Sequence, residues 1–188
     1  MKQTIEQIPD NCLQCGLFKY CRSPFMPYSG EGQLKILIIG EAPGADEDAQ
    51  GIQFVGRAGQ HLRFHLSSLG LDLEKHFWKT NCIRCRPINN ATPGQKELRL
   101  CKKFLLDEIK QLNPRKIICL GNIALKNVMK IPWSKNKKGI TWWHGKIEKS
   151  KILDCYFMAT YHPSYLIRRC NPILNKEFTE DLRKFIEL

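Results

Sequence analysis

Apolar residues fall into two kinds of run along this chain. Four short segments rich in β-branched or aromatic residues, KILIIG (35–40), HFWKTN (76–81), RKIICLG (115–121) and CYFMATYH (155–162), have the length and composition of strands. Between the first two, GRAGQHLRFHLSSLG (56–70) places Leu62, Leu66 and Leu69 at helical spacing, with Gly70 as the stop. Between the second and third, QKELRLCKKFLLDEIKQLN (95–113) carries an apolar stripe of Leu98, Cys101, Leu105 and Ile109. The pattern then predicts a shorter helix over about 122–130 and a terminal amphipathic helix over LNKEFTEDLRKFIEL (174–188). The near-continuous apolar character of KILIIG and KIICLG suits strands covered on both faces, so the expected fold is α/β, a parallel sheet with helices on each side. The stretch 132–149, PWSKNKKGITWWHGKIEK, is basic, aromatic and turn-rich, and reads as a loop with a short extended piece. No internal repeat or low-complexity tract interrupts the pattern. With 188 residues, 43% of them hydrophobic, a single domain over 1–188 with a full core is expected.

Charge adds a partner class. Thirty Lys and Arg against 18 Asp and Glu leave a net charge of +12, an excess of cations that fits a polyanion such as nucleic acid and fits a merely basic surface equally well. No apolar run reaches the roughly 18 residues of a membrane span, and MKQTIEQIPDNCLQCG at the start has no apolar core of a signal peptide. A cytosolic protein without a membrane partner is therefore expected. Nine cysteines (12, 15, 21, 82, 85, 101, 119, 155 and 170) are many for such a protein. A reducing compartment disfavours a disulfide framework, which leaves a metal or cluster site as the leading idea.

In an open parallel sheet, ligands bind beyond the carboxyl ends of the strands. Those ends are GEAPGADED (40–48), Thr80 and Asn81, Gly121 and Asn122, and YHPS (161–164), so a carboxylate, an amide and an imidazole share one rim. GEAPG is neither a dinucleotide fingerprint nor a P-loop, which argues against a nucleotide-phosphate cradle. The cysteines allow two groupings. CLQC (12–15) and CIRC (82–85) are both C-x-x-C, and together they would make a four-cysteine zinc site. Strand alternation opposes that grouping: if Asn81 faces the rim, Cys82 faces the core and Cys85 lies on the loop beyond. Cys101, early in the next helix, can return to that loop. Cys12, Cys15, Cys85 and Cys101 then suit either zinc or an iron-sulfur cluster, and spacing does not choose between them.

These residues resemble the family 4, iron-sulfur uracil-DNA glycosylases. The likeness rests on CLQCGL (12–17) with Arg22, GEAPG (40–44) with Glu47 and Asp48, GIQFVGRAG (51–59), NCIRCRP (81–87), Cys101, LG (120–121) and HPSYLIR (162–168), all in order. The resemblance implies a three-layer α/β/α fold with a four-stranded parallel sheet, a 4Fe-4S cluster on Cys12, Cys15, Cys85 and Cys101, and excision of uracil from DNA to leave an abasic site. It further implies that Phe54 stacks on uracil and that Asn81 reads its Watson–Crick edge. Backbone amides of Gly40, Glu41 and Ala42 would line the pocket, and Glu47 would bar thymine's methyl. His162 would stabilise charge developing on the base, with Glu41 positioning water or stabilising the sugar cation. SYLIRR (164–169) would form a loop entering the duplex, with Ser164 and Arg168 meeting DNA, Leu166 and Ile167 as an apolar wedge, and Arg57, Arg84 and Arg86 near phosphates.

Several positions depart from the resembled pattern. CRPINNATP (85–93) lacks a proline and an arginine, Gln53 stands where proline precedes the stacking phenylalanine, WWHG (142–145) has histidine where arginine is common, and RRCNP (168–172) is stretched. A monomer acting on uracil-containing DNA is expected, and no stretch names a sliding-clamp or other repair partner. Two other readings share these features. One is a non-enzymatic nucleic-acid-binding protein with a four-cysteine metal site; the other is a superfamily member preferring another deaminated base.

Overall fold

A computed structural model describes residues 9–129, 139–150 and 154–188. A short helix α1 (Asp10–Cys15) opens the described chain and ends on Gly16, whose φ of 77° is the left-handed turn that a helix stop favours. Strand β1 (Ile36–Gly40) follows, then α2 (Ala45–Gln50), α3 (Arg57–Ser67), α4 (Leu73–His76) and β2 (Phe77–Asn81). The remainder runs α5 (Gln95–Leu112), β3 (Lys116–Leu120), α6 (Gly121–Met129), α7 (Ile140–Trp143), β4 (Ile147–Lys149), β5 (Tyr156–Thr160), α8 (Pro163–Arg169) and α9 (Pro172–Ile186). Of the stretch 132–149 expected to be a loop, residues 132–138 lie outside the described residues, Ile140–Trp143 form the short helix α7 instead, and the short extended piece is β4.

Among the described residues the sheet has five strands, ordered β2-β1-β3-β5-β4. Four of them are parallel, as expected, and the fifth is the edge strand β4, antiparallel to β5 through Ile147 opposite Met158. The chain leaves β1 to form β2 on one side and returns to place β3 on the other. That reversal opens a crevice at the carboxyl ends of the strands.

Alternation along β1 builds both halves of the core. Ile36 and Ile38 face one cluster with Leu62 and Leu66 of α3 and Phe178, Leu182 and Phe185 of α9. Leu37 and Ile39 face the other, with Leu98, Leu105 and Ile109 of α5 and Ala124 and Leu125 of α6. Every residue of β1 is buried, which is why its sequence reads as a continuous apolar run rather than an alternating one. Cys82 and Cys119 belong to the second cluster, so the structure puts Cys82 in the core as its neighbourhood to Asn81 requires.

The segment 164–169 is helical rather than a loop. His162 caps α8 by accepting the Ser164 N–H, and Pro163 takes the first helical turn, where its missing N–H costs nothing. The helical period then turns Leu166 inward.

Candidate active site

Gly40 and Asn81 are paired across β1 and β2 at their carboxyl ends. Asn81 is buried, and its amide and the Phe54 ring close on Gly40 from two sides. A Cβ at position 40 would lie 2.4 Å from Asn81 Oδ1 and 2.8 Å from the Phe54 ring, so only glycine fits there. Phe54 itself holds a left-handed backbone, φ 55°, a conformation that costs a non-glycine residue about 1 kcal/mol or more. It is kept there by close packing of α3: a Cβ on Gly59 would come within 1.9 Å of the Phe54 carbonyl oxygen.

Phe54 and Asn81 line a cavity of about 690 Å³ together with Glu41, Ala42, Glu47, His162, Ser164 and Arg168, whereas Gly40 lies behind them, outside the lining. Glu47 is buried, and its carboxylate accepts the Gly56 N–H at 2.8 Å and the Gly44 N–H at 3.0 Å, joining the loop after β1 to the segment bearing Phe54. Burial raises the pKa of Glu41, with Arg168 acting in the opposite sense. His162 Nδ1 accepts the Ser164 N–H at 3.2 Å and lies 2.7 Å from Ser164 Oγ. A backbone N–H can only donate, so Nδ1 is bare and the neutral ring carries its proton on Nε2. Burial, and then Arg168, lower the imidazole pKa to about 4. A neutral N–H donor, a carboxylate, an amide and an aromatic face thus surround one space of small-molecule size.

The end of β2 is clamped from behind. The buried Glu108 carboxylate of α5 accepts the Thr80 hydroxyl at 2.8 Å and the Tyr28 N–H at 3.2 Å, and pairs with Arg84. Arg84 is thereby committed to an internal ion pair.

The other arginines divide. Arg168 is exposed on the cavity rim and Arg57 is exposed at the start of α3. Arg86 is half-buried, hydrogen-bonded to Asn90 at 2.7 Å and 3.8 Å from the Asp48 carboxylate, so it braces the loop after β2. Leu166 does not serve as a wedge in this conformation. It is 1% exposed and packs in the core with Leu62 and Phe178, while Ile167 beside it remains half-buried. Ser164 spends its hydroxyl on His162.

Cys12, Cys15, Cys85 and Cys101 line a second cavity of about 260 Å³, with Leu17, Phe18, Phe25, Ile83, Arg84 and Phe104 around them. Cys12 and Cys15 share one turn of α1, Cys101 stands on α5, and Cys85 accepts the Phe25 N–H at 3.4 Å. Among the described residues, no three His, Cys, Asp or Glu side chains converge tightly enough to hold a single metal ion. Four thiols on one apolar-walled cavity nevertheless fit a multinuclear cluster, whose irons each take one thiolate. Cys82 is absent from this wall, and burial pushes its thiol up to about 12. Cys21, unassigned from sequence, donates at 3.6 Å to the carbonyl oxygen of Phe18, a residue of this cavity's wall.

Comparison with known proteins agrees with this geometry. The Uracil DNA glycosylase superfamily matches residues 26–185. The type-4 uracil-DNA glycosylase of Pyrobaculum aerophilum is 40% identical over 185 residues, covering 97% of this chain and 92% of that protein. The chain belongs to the type-4 uracil-DNA glycosylases. Those of Saccharolobus solfataricus and Archaeoglobus fulgidus are 36% and 33% identical, over 94% and 95% of this chain. The cavity at the strand ends and the cysteine-lined cavity share no lining residue. No helix among the described residues is long and apolar enough to cross a membrane.

Proposed function

We propose that this uracil-DNA glycosylase excises uracil by receiving the flipped base between Phe54, Asn81 and His162. The convergence of these three side chains on one 690 Å³ cavity carries the reading. Flipping costs a few kcal/mol of stacking and pairing, offset by contacts in the pocket. Phe54 supplies a stacking face. Asn81 offers Oδ1 to uracil N3–H and an Nδ2 hydrogen to O4, a pattern that cytosine, with its bare N3 and its N4 amine, reverses. Glu47, locked by two backbone amides, stands where thymine's methyl would press.

As the bond between C1′ and N1 breaks, its electron pair moves onto the uracil ring and positive charge grows on the sugar. His162 donates its Nε2–H to the developing charge at O2, a contribution of roughly 3 kcal/mol by the standard of single donors to an oxyanion. Glu41 orients water toward C1′ or stabilises the cationic sugar, as carboxylates do in glycoside hydrolysis. Water adds to C1′ and gives up a proton, and uracil leaves after gaining one. The products are free uracil and an abasic site, with both phosphodiesters intact.

Cys12, Cys15, Cys85 and Cys101 would hold a 4Fe-4S cluster, supported by their shared cavity and by the family. That cluster would tie α1 and α5 to the loop after β2 as a structural clasp. Arg57, Arg168 and the net positive charge would meet phosphates, with Ile167 as the apolar element at the rim. The protein would act as a cytosolic monomer. Incubation with a uracil-containing oligonucleotide followed by alkali tests the reading: strand cleavage at uracil is expected, and no alkali-labile product at enzyme excess would refute it.

A further inference from the structure

Gln53 is fully buried beside the pocket, at a position where the resembled pattern has proline. Its Nε2 donates to the Pro27 carbonyl oxygen at 3.1 Å, and its Oε1 accepts from Asn81 Nδ2. We propose that Gln53 is a specificity-determining positioning residue that fixes which way round the Asn81 amide faces the base. The inference rests on Asn81 reading the Watson–Crick edge.

The polarity follows from one group that cannot change role. The Pro27 carbonyl only accepts, so Gln53 must turn its NH₂ toward it. That leaves Gln53 Oε1 facing Asn81, and Asn81 must answer with its own NH₂. The amide of Asn81 is then set, with Oδ1 on the Gly40 and Phe54 side of the pocket and one Nδ2 hydrogen still unspent. Uracil, with a donor at N3 and an acceptor at O4, matches that arrangement. Cytosine needs the amide turned over, which brings Asn81 Oδ1 against Gln53 Oε1. Turning Gln53 as well only moves the clash to the Pro27 carbonyl. A buried acceptor facing an acceptor loses a hydrogen bond and leaves two groups unsatisfied, enough for discrimination on the order of tenfold or more. Proline at position 53 would have no side-chain amide to supply this lock.

Single-turnover excision rates on matched oligonucleotides bearing uracil or cytosine, compared across three variants, test the proposal. Gln53→Met preserves length and apolar packing but neither accepts nor donates as an amide does, and it should narrow the uracil-to-cytosine ratio by about tenfold or more. Gln53→Glu can accept from Asn81 and, protonated, donate to Pro27, so it should restore much of the ratio. A merely structural Gln53 would lower the melting temperature in both variants and leave the ratio alone. Gln53→Leu repeats the test should Gln53→Met fail to fold. Wild-type discrimination in the methionine or leucine variant, with Asn81→Ala inactive on uracil, overturns the lock while sparing the Asn81 reading. Near wild-type uracil excision by Asn81→Ala overturns that reading instead, and the lock with it.

Discussion

Lowering the pH should not switch His162 where histidines usually titrate. Its Nδ1 faces the Ser164 N–H, and protonation would set two donors against each other. Burial and the Arg168 charge hold the imidazole pKa near 4. Against an ordinary value of 6.5, that disfavours the charged ring by about 3 kcal/mol. The sign for stability follows directly. Between about pH 4 and 6.5 the unfolded chain binds a proton at this histidine that the folded chain refuses, so folding stability rises with pH through that window. The contribution is complete above 6.5 and is lost as pH falls toward 4. For activity, the neutral Nε2–H donor should persist from pH 8 to below 6, with no inflection near 6.5 in kcat/KM. Glu41, raised by burial, loses its negative charge on the acid side and adds to the acid limb there. Heteronuclear NMR of the imidazole nitrogens, with the His162 signals assigned by their loss in His162→Gln, separates the two groups. It should show the proton on Nε2 and an unshifted ring down to about pH 5. A midpoint near 6.5, or a proton on Nδ1, would refute the reasoning. The same His162→Gln variant should lose about a hundredfold or more in single-turnover excision.

Gly40→Ala should abolish most uracil excision while costing only about 2 kcal/mol of stability, since its Cβ would press the Asn81 amide and the Phe54 ring apart; chemical denaturation alongside the alkali-cleavage assay reads both. The cysteines should separate by colour. Cys82→Ala, a change in the apolar core, should purify with visible thiolate-to-iron absorption, whereas Cys85→Ala and Cys101→Ala should lose it; the reverse pattern would restore the paired C-x-x-C grouping.

The parts of this fold legible in the sequence are those set by local periodicity. β1 and β3 are readable because strands buried on both faces run nearly continuously apolar, β2 and β5 because of their aromatic and β-branched residues, and α5 because Leu98, Leu105 and Ile109 repeat at helical spacing. The division of Cys82 from Cys85 follows from the two-residue alternation of a strand. The residues that misled are those whose surroundings come from far along the chain. Arg86 looks like a free cation until Asp48 and Asn90 are brought beside it. Leu166 looks like a surface wedge until the cap at His162 starts a helix whose period turns it inward. Lys79, in the middle of β2, is fully buried because Glu74 folds back to pair with it and with Arg63, a contact no periodicity announces. β4 has three residues, only Ile147 of them apolar, too little pattern to distinguish an edge strand from a loop.

Gln53 stood out in the sequence only as an oddity, because both of its partners are more than twenty residues away. Its place in the fold explains how one run of backbone from 79 to 85 serves several surroundings at once. Lys79 turns to Glu74, Thr80 to Glu108, Asn81 to the pocket through Gln53, Cys82 to the core, Arg84 back to Glu108, and Cys85 to the thiol-lined cavity. Glu108 and Cys101 stand on the same helix, α5. That helix therefore grips the run at two points, behind Asn81 through Thr80 and in the loop beyond through Arg84. A cluster on Cys85 and Cys101 would add a third tie between the same two elements. The asparagine is then held by its neighbours on both sides as well as by its own amide partner, which is what a discriminating group needs when a turned amide would favour the wrong base.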